Sequence, residues 1–200
     1  MTALAICVLR GLEVVRHLDD VARLRIEVFK DWPYLYAGGL AYEREYLQTY
    51  SGAARSLFVL AMDGRTVVGA ATGVPLEDEV DAIKEPLARQ GVDADGVFYF
   101  GESVLLPAYR GQGIGHRFFD EREHYARSMG RSVTMFCSVV RSPDDARRPA
   151  HHRSNDAFWT GRGYREMPGI RCSLDWQEIG ASAPSSQQLT YWIRDLGDRG

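Results

Sequence analysis

A glycine-rich turn between two regular segments is the part of this sequence best suited to chemistry. It reads Tyr-Arg-Gly-Gln-Gly-Ile-Gly-His at positions 109–116. An apolar, strand-like run over 97–106 precedes it, and a helical apolar pattern through Met129 follows it. A strand, a turn and a helix in this order direct free backbone N–H groups and the positive end of a helix dipole at one point. The segment therefore predicts a binding site for an anion such as a pyrophosphate.

The glycine spacing distinguishes between the known kinds of phosphate loop. A dinucleotide fingerprint, G-x-G-x-x-G, starting at Gly111 would need a glycine where His116 stands. A P-loop would need a Lys and then a Ser or Thr after its last glycine, and the sequence has neither. The stretch 110–115 fits Arg-x-x-Gly-x-Gly and has a Pro-x-Tyr-Arg-Gly lead-in. It resembles the acyl-CoA-binding loop of the GNAT superfamily of N-acetyltransferases.

This resemblance implies a fold, a donor and a reaction. The fold would be a mixed α/β (α+β) domain, with a central, twisted, mostly antiparallel sheet and helices on both faces. The donor would be acetyl-CoA as co-substrate, with no metal, and its acetyl group would pass directly to an amine on a small molecule or peptide. By element order the resemblance covers about residues 4–176. Specific motifs support it only over 97–130 and, more weakly, over 158–164, where a helix ends in Gly-Tyr.

The resemblance also implies how the cofactor is held. The strand edge before the turn would pair with the pantetheine amides and polarise the thioester carbonyl, and the turn would receive the phosphates. The implied cofactor-binding residues are Ser103, Val104, Leu105, Arg110, Gly111, Gln112, Gly113, Ile114, Gly115 and His116. Two roles stay open for the Arg110 side chain: charge for the phosphates, or packing of its stem against the loop.

Glu102 is the candidate base that would remove a proton from the amine. Strand alternation predicts that it shares a face with four apolar residues, Phe98, Phe100, Val104 and Leu106. Desolvation by such neighbours would make the carboxylate a better base. The alternative is a structural glutamate paired with an arginine.

The general acid of the resembled family is missing from its expected place. That acid is a tyrosine on the last helix, and the aligned residue here is Trp159, which has no acidic proton. Either Tyr164 or another tyrosine protonates the leaving thiolate, or no acid is used. The departure favours one rival, a non-catalytic acyl-CoA-binding or sensor module on the same fold. A second rival is a nucleotide-binding oxidoreductase, which would bind NAD(H) in preference to CoA.

Cys137 is a candidate nucleophile that would form an acyl-cysteine intermediate, because it lies on the strand that should flank the cofactor. No neighbour in sequence would activate its thiol, so a buried packing role is favoured.

The acceptor would enter beside the loop between the first two helices. The predicted substrate-binding residues there are Trp32, Tyr34 and Tyr36, which alternatively fill the core beneath the loop. Together with the acidic stretch 77–81, these aromatics would suit a cationic amine.

Periodicity and turn signals predict the element order β-α-α-β-β-(α)-β-α-β-α-β-β. Within it, one strand runs unbroken from 97 to about 106, and an added helix spans Asp78 to Gln90. Residues 141–154 form a loop of unusual length, and 179–188 form another loop or linker.

Bulk composition limits the classes of partner. The 200 residues suit one domain over 1–200, with its core at about 4–176 and a last strand at about 189–194. A net charge of −3 gives no indication of nucleic acid or an anionic membrane as partner. Three cysteines without paired spacing argue against a disulfide framework or a zinc site. A cytoplasmic location is expected, since no leader pattern stands at the start, and a homodimer stays possible.

Overall fold

An eight-stranded sheet is the centre of the structure, a computed structural model that describes residues 4–197 apart from the side chain of Thr49. Its strands are β1 Leu4–Arg10, β2 Leu57–Asp63, β3 Thr66–Pro75, β4 Val97–Phe100, β5 Ser103–Leu105, β6 Val133–Val139, β7 Arg165–Trp176 and β8 Ser185–Asp195. Their order is β1-β2-β3-β4-β6-β8-β7, and β5 also pairs with β3. Of the strand pairs within 4–197, β4 and β6 alone are parallel. The predicted mixed, mostly antiparallel sheet is confirmed.

Five α-helices cover the two faces of this sheet. They are α1 Leu18–Phe29, α2 Leu40–Gly52, α3 Asp81–Ala88, α4 Ile114–Ser128 and α5 Asp156–Gly161. The apolar side of α4 packs on one face through Phe118, whereas α1 and α2 pack on the other through Val21 and Leu47. Every helix within 4–197 is too short or too polar to cross a bilayer.

β2 shows why the sequence forms a sheet that is covered on both sides. Residues 57–61 are all fully buried, with Leu57 and Val59 toward α4 and Phe58 and Leu60 toward α1 and α2. A strand buried on both faces has to be apolar at every position rather than at alternate ones. Each such Leu or Phe stabilises the fold by about 1.5–3 kcal/mol.

A β-bulge interrupts the strand that was predicted to run unbroken from 97 to 106. The Gly101 N–H donates to the Thr72 carbonyl at 3.2 Å, and the Thr72 N–H donates to the Glu102 carbonyl at 3.0 Å. Two residues therefore oppose one, which defines a bulge. Glycine is required at 101, because a Cβ there would lie 2.6 Å from the Thr72 hydroxyl oxygen.

The bulge shifts the side-chain alternation by one residue. Phe98 and Phe100 pack toward α4, whereas Val104 packs toward α1 and α2. The prediction that Glu102 shares a face with both phenylalanines is therefore wrong, since the two strand halves present opposite faces.

The bulge also separates β5 from β6. β4 pairs with β6 as far as Phe100 and Phe136, after which β5 follows β3 while β6 follows β8. The Leu106 N–H donates to the Val68 carbonyl at 3.0 Å, so even-numbered residues of this segment turn their backbone groups toward β3. The backbone groups of Ser103 and Leu105 consequently face the gap. We call this gap between β5 and β6 the fork.

The predicted bounds of two elements differ from the structure. α3 ends at Ala88 rather than Gln90 and begins at Asp81 rather than Asp78, because residues 76–78 form a separate 3₁₀ turn whose Asp78 pairs with Arg55 at 2.8 Å. β8 begins at Ser185, inside the predicted loop 179–188, because its serines and glutamines pair with β7 down to Ser185 opposite Trp176. Ladder pairing thus outweighs the low strand propensity of this polar segment.

Candidate active site

A cleft of about 1180 Å³ opens at the fork. Its walls come from the end of α1 and the loop after it, the bulge with β5, the glycine turn with the start of α4, β6, and the long segment from β6 to α5. Ten of the predicted site residues line it, namely Trp32, Tyr34, Glu102, Ser103, Leu105, Arg110, Gly111, Gly113, Gly115 and His116. The fold therefore brings the predicted donor, catalytic and acceptor residues to one cavity.

Four predicted site residues have side chains elsewhere. Val104 and Ile114 are buried in the two cores on either side of the sheet. The Gln112 side chain donates to the Ala108 carbonyl at 3.1 Å within the glycine turn. Tyr36 is buried behind the cleft, where its backbone bridges to Glu178, so it corresponds to the core-filling alternative.

Backbone conformation shapes the half of the cleft beside the glycine turn, which the sequence predicts to bind the donor. Gly111 and Gly113 have φ angles of 75° and 79°, in the left-handed region that favours glycine, and Gly113 is the N-cap of α4. The first hydrogen bond of α4 joins the Arg117 N–H to the Gly113 carbonyl, so the N–H groups of residues 114–116 lie before the helical ladder. Its first turn carries no acidic residue. This arrangement suits an anionic phosphate group.

Arg110 connects the glycine turn to the edge of the fork. Its Nε donates to the Leu105 carbonyl at 3.2 Å, and the residue is exposed. This contact corresponds to the loop-packing role.

Glu102 lies in the other half of the cleft, which the sequence predicts to take the acceptor, and it is buried against α1 and α2. Its Oε2 is 2.5 Å from Nη1 of Arg25 and accepts a hydrogen bond from the Tyr46 hydroxyl at 3.3 Å. Its other oxygen, Oε1, is buried and has no hydrogen-bond partner among residues 4–197. The carboxylate thus has polar neighbours in place of the predicted apolar ones, and one oxygen remains for a ligand.

Arg25 is shared between two buried carboxylates. Its Nε lies 2.5 Å from Oε2 of Glu43, and its guanidinium stacks 4.3 Å from the ring centre of Tyr46. Burial lowers the pKa of Arg25, but Glu102, Tyr46 and Glu43 raise it, and the net result is well above the ordinary value. The structural alternative for Glu102, a pair with an arginine, is therefore present in the fold. Sequence reasoning could not name this arginine, because the two residues are far apart along the chain.

Tyr34 places a neutral phenol beside Glu102. Burial raises the pKa of Tyr34, Arg25 lowers it, Glu102 and the Cys137 thiol raise it slightly, and the net value is about 12. The Tyr34 carbonyl accepts from Arg141 Nη2 at 3.1 Å and from Trp176 Nε1 at 3.0 Å, which fixes the loop that carries it. The sequence analysis proposed Tyr34 as a substrate contact and left open which other tyrosine could serve as an acid.

Neither Tyr164 nor Trp159 is placed to act as the general acid. The Tyr164 hydroxyl is buried between the Thr134 hydroxyl at 2.8 Å and Oε1 of Glu123 at 3.1 Å, and it does not line the cleft. Trp159 lines the cleft with its indole packed between Phe136 and Trp192. Its role is an apolar wall.

Cys137 lines the cleft but is poorly suited to nucleophilic attack. Burial raises the pKa of its thiol well above the ordinary value, and its Sγ lies 3.6 Å from that of Cys172. The thiolate, which is the reactive form, is therefore disfavoured. This agrees with the packing role that the sequence favoured.

The long segment after β6 is fastened to the acceptor side by Arg141. Its guanidinium donates to the carbonyls of Pro33 and Tyr34 at 2.7 and 3.1 Å and pairs with Glu178 at 2.5 Å. The ring of His152 lies 6.2 Å from that of Trp32, so the two loops meet across the cleft. Within 4–197 no group of three or more His, Cys, Asp or Glu is placed to hold a metal ion.

The acidic stretch 77–81 lies outside the cleft. Glu77 and Asp78 pair with Arg55 at 2.8 Å, and Glu79 accepts a hydrogen bond from Tyr50 in the core. The expectation that these carboxylates border the acceptor is wrong, because they do not line the cavity.

Comparison with known proteins agrees with this geometry. The sequence matches the acetyltransferase (GNAT) family over residues 21–155, which is more than half of the chain. The chain therefore belongs to the GNAT acetyltransferase family. No curated protein matches the sequence.

Solved structures with similar folds extend over nearly the whole chain. YncA from Salmonella typhimurium, solved with its cofactor acetyl-CoA, has a TM-score of 0.60 at 11% identity, covering 100% of this chain and 97% of its own. An N-acetyltransferase from Staphylococcus aureus has a TM-score of 0.61 at 10% identity, covering 98% and 100%. Ribosomal-protein-alanine N-acetyltransferase from Brucella melitensis has a TM-score of 0.60 at 14% identity, covering 95% and 99%. At these identities the likeness establishes the fold.

Proposed function

We propose that this protein is an N-acetyltransferase that moves an acetyl group from acetyl-CoA directly to an amine acceptor. The observation that carries the proposal is the fork. One cavity contains a helix N-terminus suited to phosphates, a strand edge whose Ser103 and Leu105 backbone groups face the gap, the Leu105 carbonyl being held by Arg110, and a buried carboxylate with one unpartnered oxygen. Family membership and the fold shared with acetyl-CoA-bound YncA support the choice of donor.

The donor would lie along the fork. The N–H groups of residues 114–116 would bind the pyrophosphate. The backbone groups of Ser103 and Leu105 would pair with the pantetheine arm, and their N–H groups would polarise the thioester carbonyl. Gly111 and Gly113 have no heavy atom within 4 Å of the position a Cβ would take, which leaves room for close approach of the phosphates.

Glu102 would act as the base through Oε1, either on the amine itself or through one water molecule. The freed nitrogen forms a bond to the thioester carbon, and the carbonyl electrons move to oxygen. When the tetrahedral species collapses, the C–S bond breaks and the sulfur takes its electron pair. Tyr34 would protonate the departing thiolate, and the second proton of the nitrogen would pass to the resulting phenolate, so that the Tyr34 hydroxyl is restored while the proton on Glu102 returns to solvent. A thiolate needs little such help, because its conjugate acid has a pKa of about 8.5.

The acceptor would enter between the loop after α1 and the loop after β6. Trp32 and Tyr34 face this entrance, and Phe29 packs 4.2 Å from the Tyr34 ring. Aromatic faces beside a buried carboxylate suit an ammonium group with an apolar body.

Steady-state thiol release from acetyl-CoA with a panel of amines tests the proposal. The panel should include polyamines, amino acids, aminoglycosides and peptide N-termini, with mass spectrometry of the products. Amine-dependent thiol release together with an acetylated amine is the expected result. Tight CoA binding without release above the buffer rate for any amine would support the second candidate, a non-catalytic acyl-CoA-binding module. Trp159 at the usual place of the acid and the ion pair of Glu102 are the observations that favour that candidate.

A further inference from the structure

Arg122 is a buried charge that the proposed reaction does not use. It lies in the third turn of α4, is 1% exposed, and its guanidinium makes four hydrogen bonds. Nε donates to the Phe118 carbonyl at 3.0 Å, and Nη1 donates to the carbonyls of Thr72 and Glu102 at 3.2 and 3.1 Å. Nη2 donates to the Ser103 hydroxyl at 2.8 Å. All four acceptors are uncharged oxygens.

An arginine in this place needs a reason, because burying an ion without a partner of opposite charge is unfavourable. Burial lowers the pKa of Arg122 to about 10. Stacking of the guanidinium 4.1 Å from the ring centre of Phe100 and 4.9 Å from that of Phe119 offsets part of the penalty. An apolar side chain would fill the same space at lower cost.

The acceptors of Arg122 identify what it holds. Three of them belong to the bulge: the carbonyl of Thr72, the carbonyl of Glu102 and the hydroxyl of Ser103. The two carbonyls already accept the hydrogen bonds that define the bulge, so Arg122 gives each a second donor. Hydrogen bonds to a charged donor are stronger than neutral ones.

We propose that Arg122 is a positioning residue that holds the bulge and thereby keeps the fork open. By fixing the Glu102 backbone, it directs the Glu102 side chain to the acceptor side. By fixing Ser103, it sets the strand edge that pantetheine would follow. The expected effect of Arg122 on turnover rests on the proposed function, whereas its expected effect on the binding of CoA rests only on the proposed position of the donor.

Two ligands separate this role from a general structural one. By the proposed function, coenzyme A would occupy both the fork and the glycine turn, whereas adenosine 3′,5′-diphosphate, its nucleotide half, would reach the turn alone. The variants are Arg122→Met, which keeps the stem without the donors, and Arg122→Lys, which keeps the charge. Arg117→Met is the matched control, because Arg117 lies on the exposed side of the same helix and pairs only with Glu121 among the described ion pairs.

Calorimetric titration of each folded variant with both ligands gives the test. For Arg122→Met, we expect CoA to bind about tenfold or more weakly, as for the loss of hydrogen bonds to a charged group. The nucleotide half should bind within about twofold of wild type, because the turn keeps its contacts. The lysine variant should recover part of the loss, and Arg117→Met should match wild type with both ligands.

Equal weakening of both ligands, or no weakening of either, would overturn the role of Arg122. If the methionine variant does not fold, Arg122→Lys and Ser103→Ala carry the same two-ligand comparison, the latter by removing only the Nη2 contact. A wild-type protein that binds CoA but releases no thiol with any amine would overturn the proposed function and leave the two-ligand result to decide on Arg122. A wild-type protein that does not bind CoA would overturn both.

Discussion

The halves of the cleft that we propose for the donor and for the acceptor are built by different physical means. In the donor half, the backbone provides the chemistry, through left-handed glycines at 111 and 113 and the free N–H groups that begin α4. In the acceptor half, side chains distant in sequence provide it, through Glu102, Arg25 and Tyr34. A backbone site follows from a short local pattern. A side-chain network depends on how whole elements pack.

This difference has a consequence for substitution. The donor half should tolerate changes of side chain wherever the glycine conformations are kept. The acceptor half should be sensitive to single atoms, because its carboxylates share one buried guanidinium and leave little room for compensation.

Replacing the carboxylate of the acceptor half should give the largest effect. We expect Glu102→Gln to lower kcat by about 100-fold or more, since the amide cannot accept the proton. The dissociation constant for CoA should change little, because the donor contacts are on the backbone. On the same preparation, a thiol-release assay measures kcat and calorimetry measures the dissociation constant for CoA.

The control for this change is Glu43→Gln. Glu43 pairs with the same arginine at the same 2.5 Å but does not line the cleft. It should lower the melting temperature as Glu102→Gln does, with a much smaller effect on kcat. Equal loss of kcat in both variants would show that the network, and not the Glu102 carboxylate, is what turnover requires.

In the donor half, Gly113→Ala tests the claim that the backbone provides the chemistry. A residue other than glycine at a φ of 79° is strained by about 1–2 kcal/mol, and its methyl group would meet the incoming phosphate. We expect CoA to bind about tenfold or more weakly, as for the loss of a charge-assisted hydrogen bond. Calorimetric titration provides the measurement.

Gly91→Ala serves as the comparison for Gly113→Ala. Gly91 has a φ of 73°, has no heavy atom within 4 Å of a Cβ position, and lies away from the cleft after α3. It should lose similar stability and keep the affinity for CoA. A Gly113→Ala protein that binds CoA as tightly as Gly91→Ala would remove the turn from the donor site.

Tyr34→Phe should lower kcat by roughly tenfold, because a thiolate needs less help to leave than an alkoxide. The pKa of Tyr34 is about 12, so this group should not limit turnover at any pH below about 11.

The raised pKa of Tyr34 also adds stability that is fully present below the ordinary value of 10 and is lost as the pH rises through about 12. The free energy of unfolding should therefore fall less steeply between pH 10 and 12 in the variant than in wild type. Identical slopes would count against a buried phenol at 34.

The smallest effect is expected for Cys137→Ala. Turnover should stay within about twofold of wild type, because the buried thiol is mainly protonated. A large loss of turnover, together with an acetylated wild-type protein detected by mass spectrometry, would replace direct transfer with an acyl-cysteine route.

Most of the fold could be predicted from the sequence, because the signals that define its elements lie within short segments of the chain. Alternation, turn glycines and helical periodicity located the sheet, α4 and the glycine turn. The break at Gly101 and Glu102 was missed, although a glycine inside a strand is a usual sign of a bulge, because its formation also depends on the hydroxyl of Thr72 across the sheet. That one missed residue reversed the predicted face of Glu102.

For the site too, the residues set by a local pattern were predicted, and those set by contacts between distant elements were missed. Most residues of the predicted donor turn, and Trp32 and Tyr34 of the predicted acceptor set, line the cleft; their roles stay predictions. Arg25, Tyr46 and Arg141 were missed, because their partners come from other elements. Tyr36 and the acidic stretch 77–81 were assigned to the acceptor side from composition, which does not report which residues packing will bury.

A crystal structure with bound acetyl-CoA tests the central claim most directly, that the fork delivers the thioester to Glu102. The account predicts pyrophosphate at the N–H groups of residues 114–116, pantetheine along Ser103 and Leu105, and the thioester carbon close enough to Oε1 of Glu102 for an amine or one water to lie between them, about 3–6 Å. An acetyl group held on the α4 side of the sheet, with Glu102 still enclosed by Arg25 and Tyr46, would contradict it.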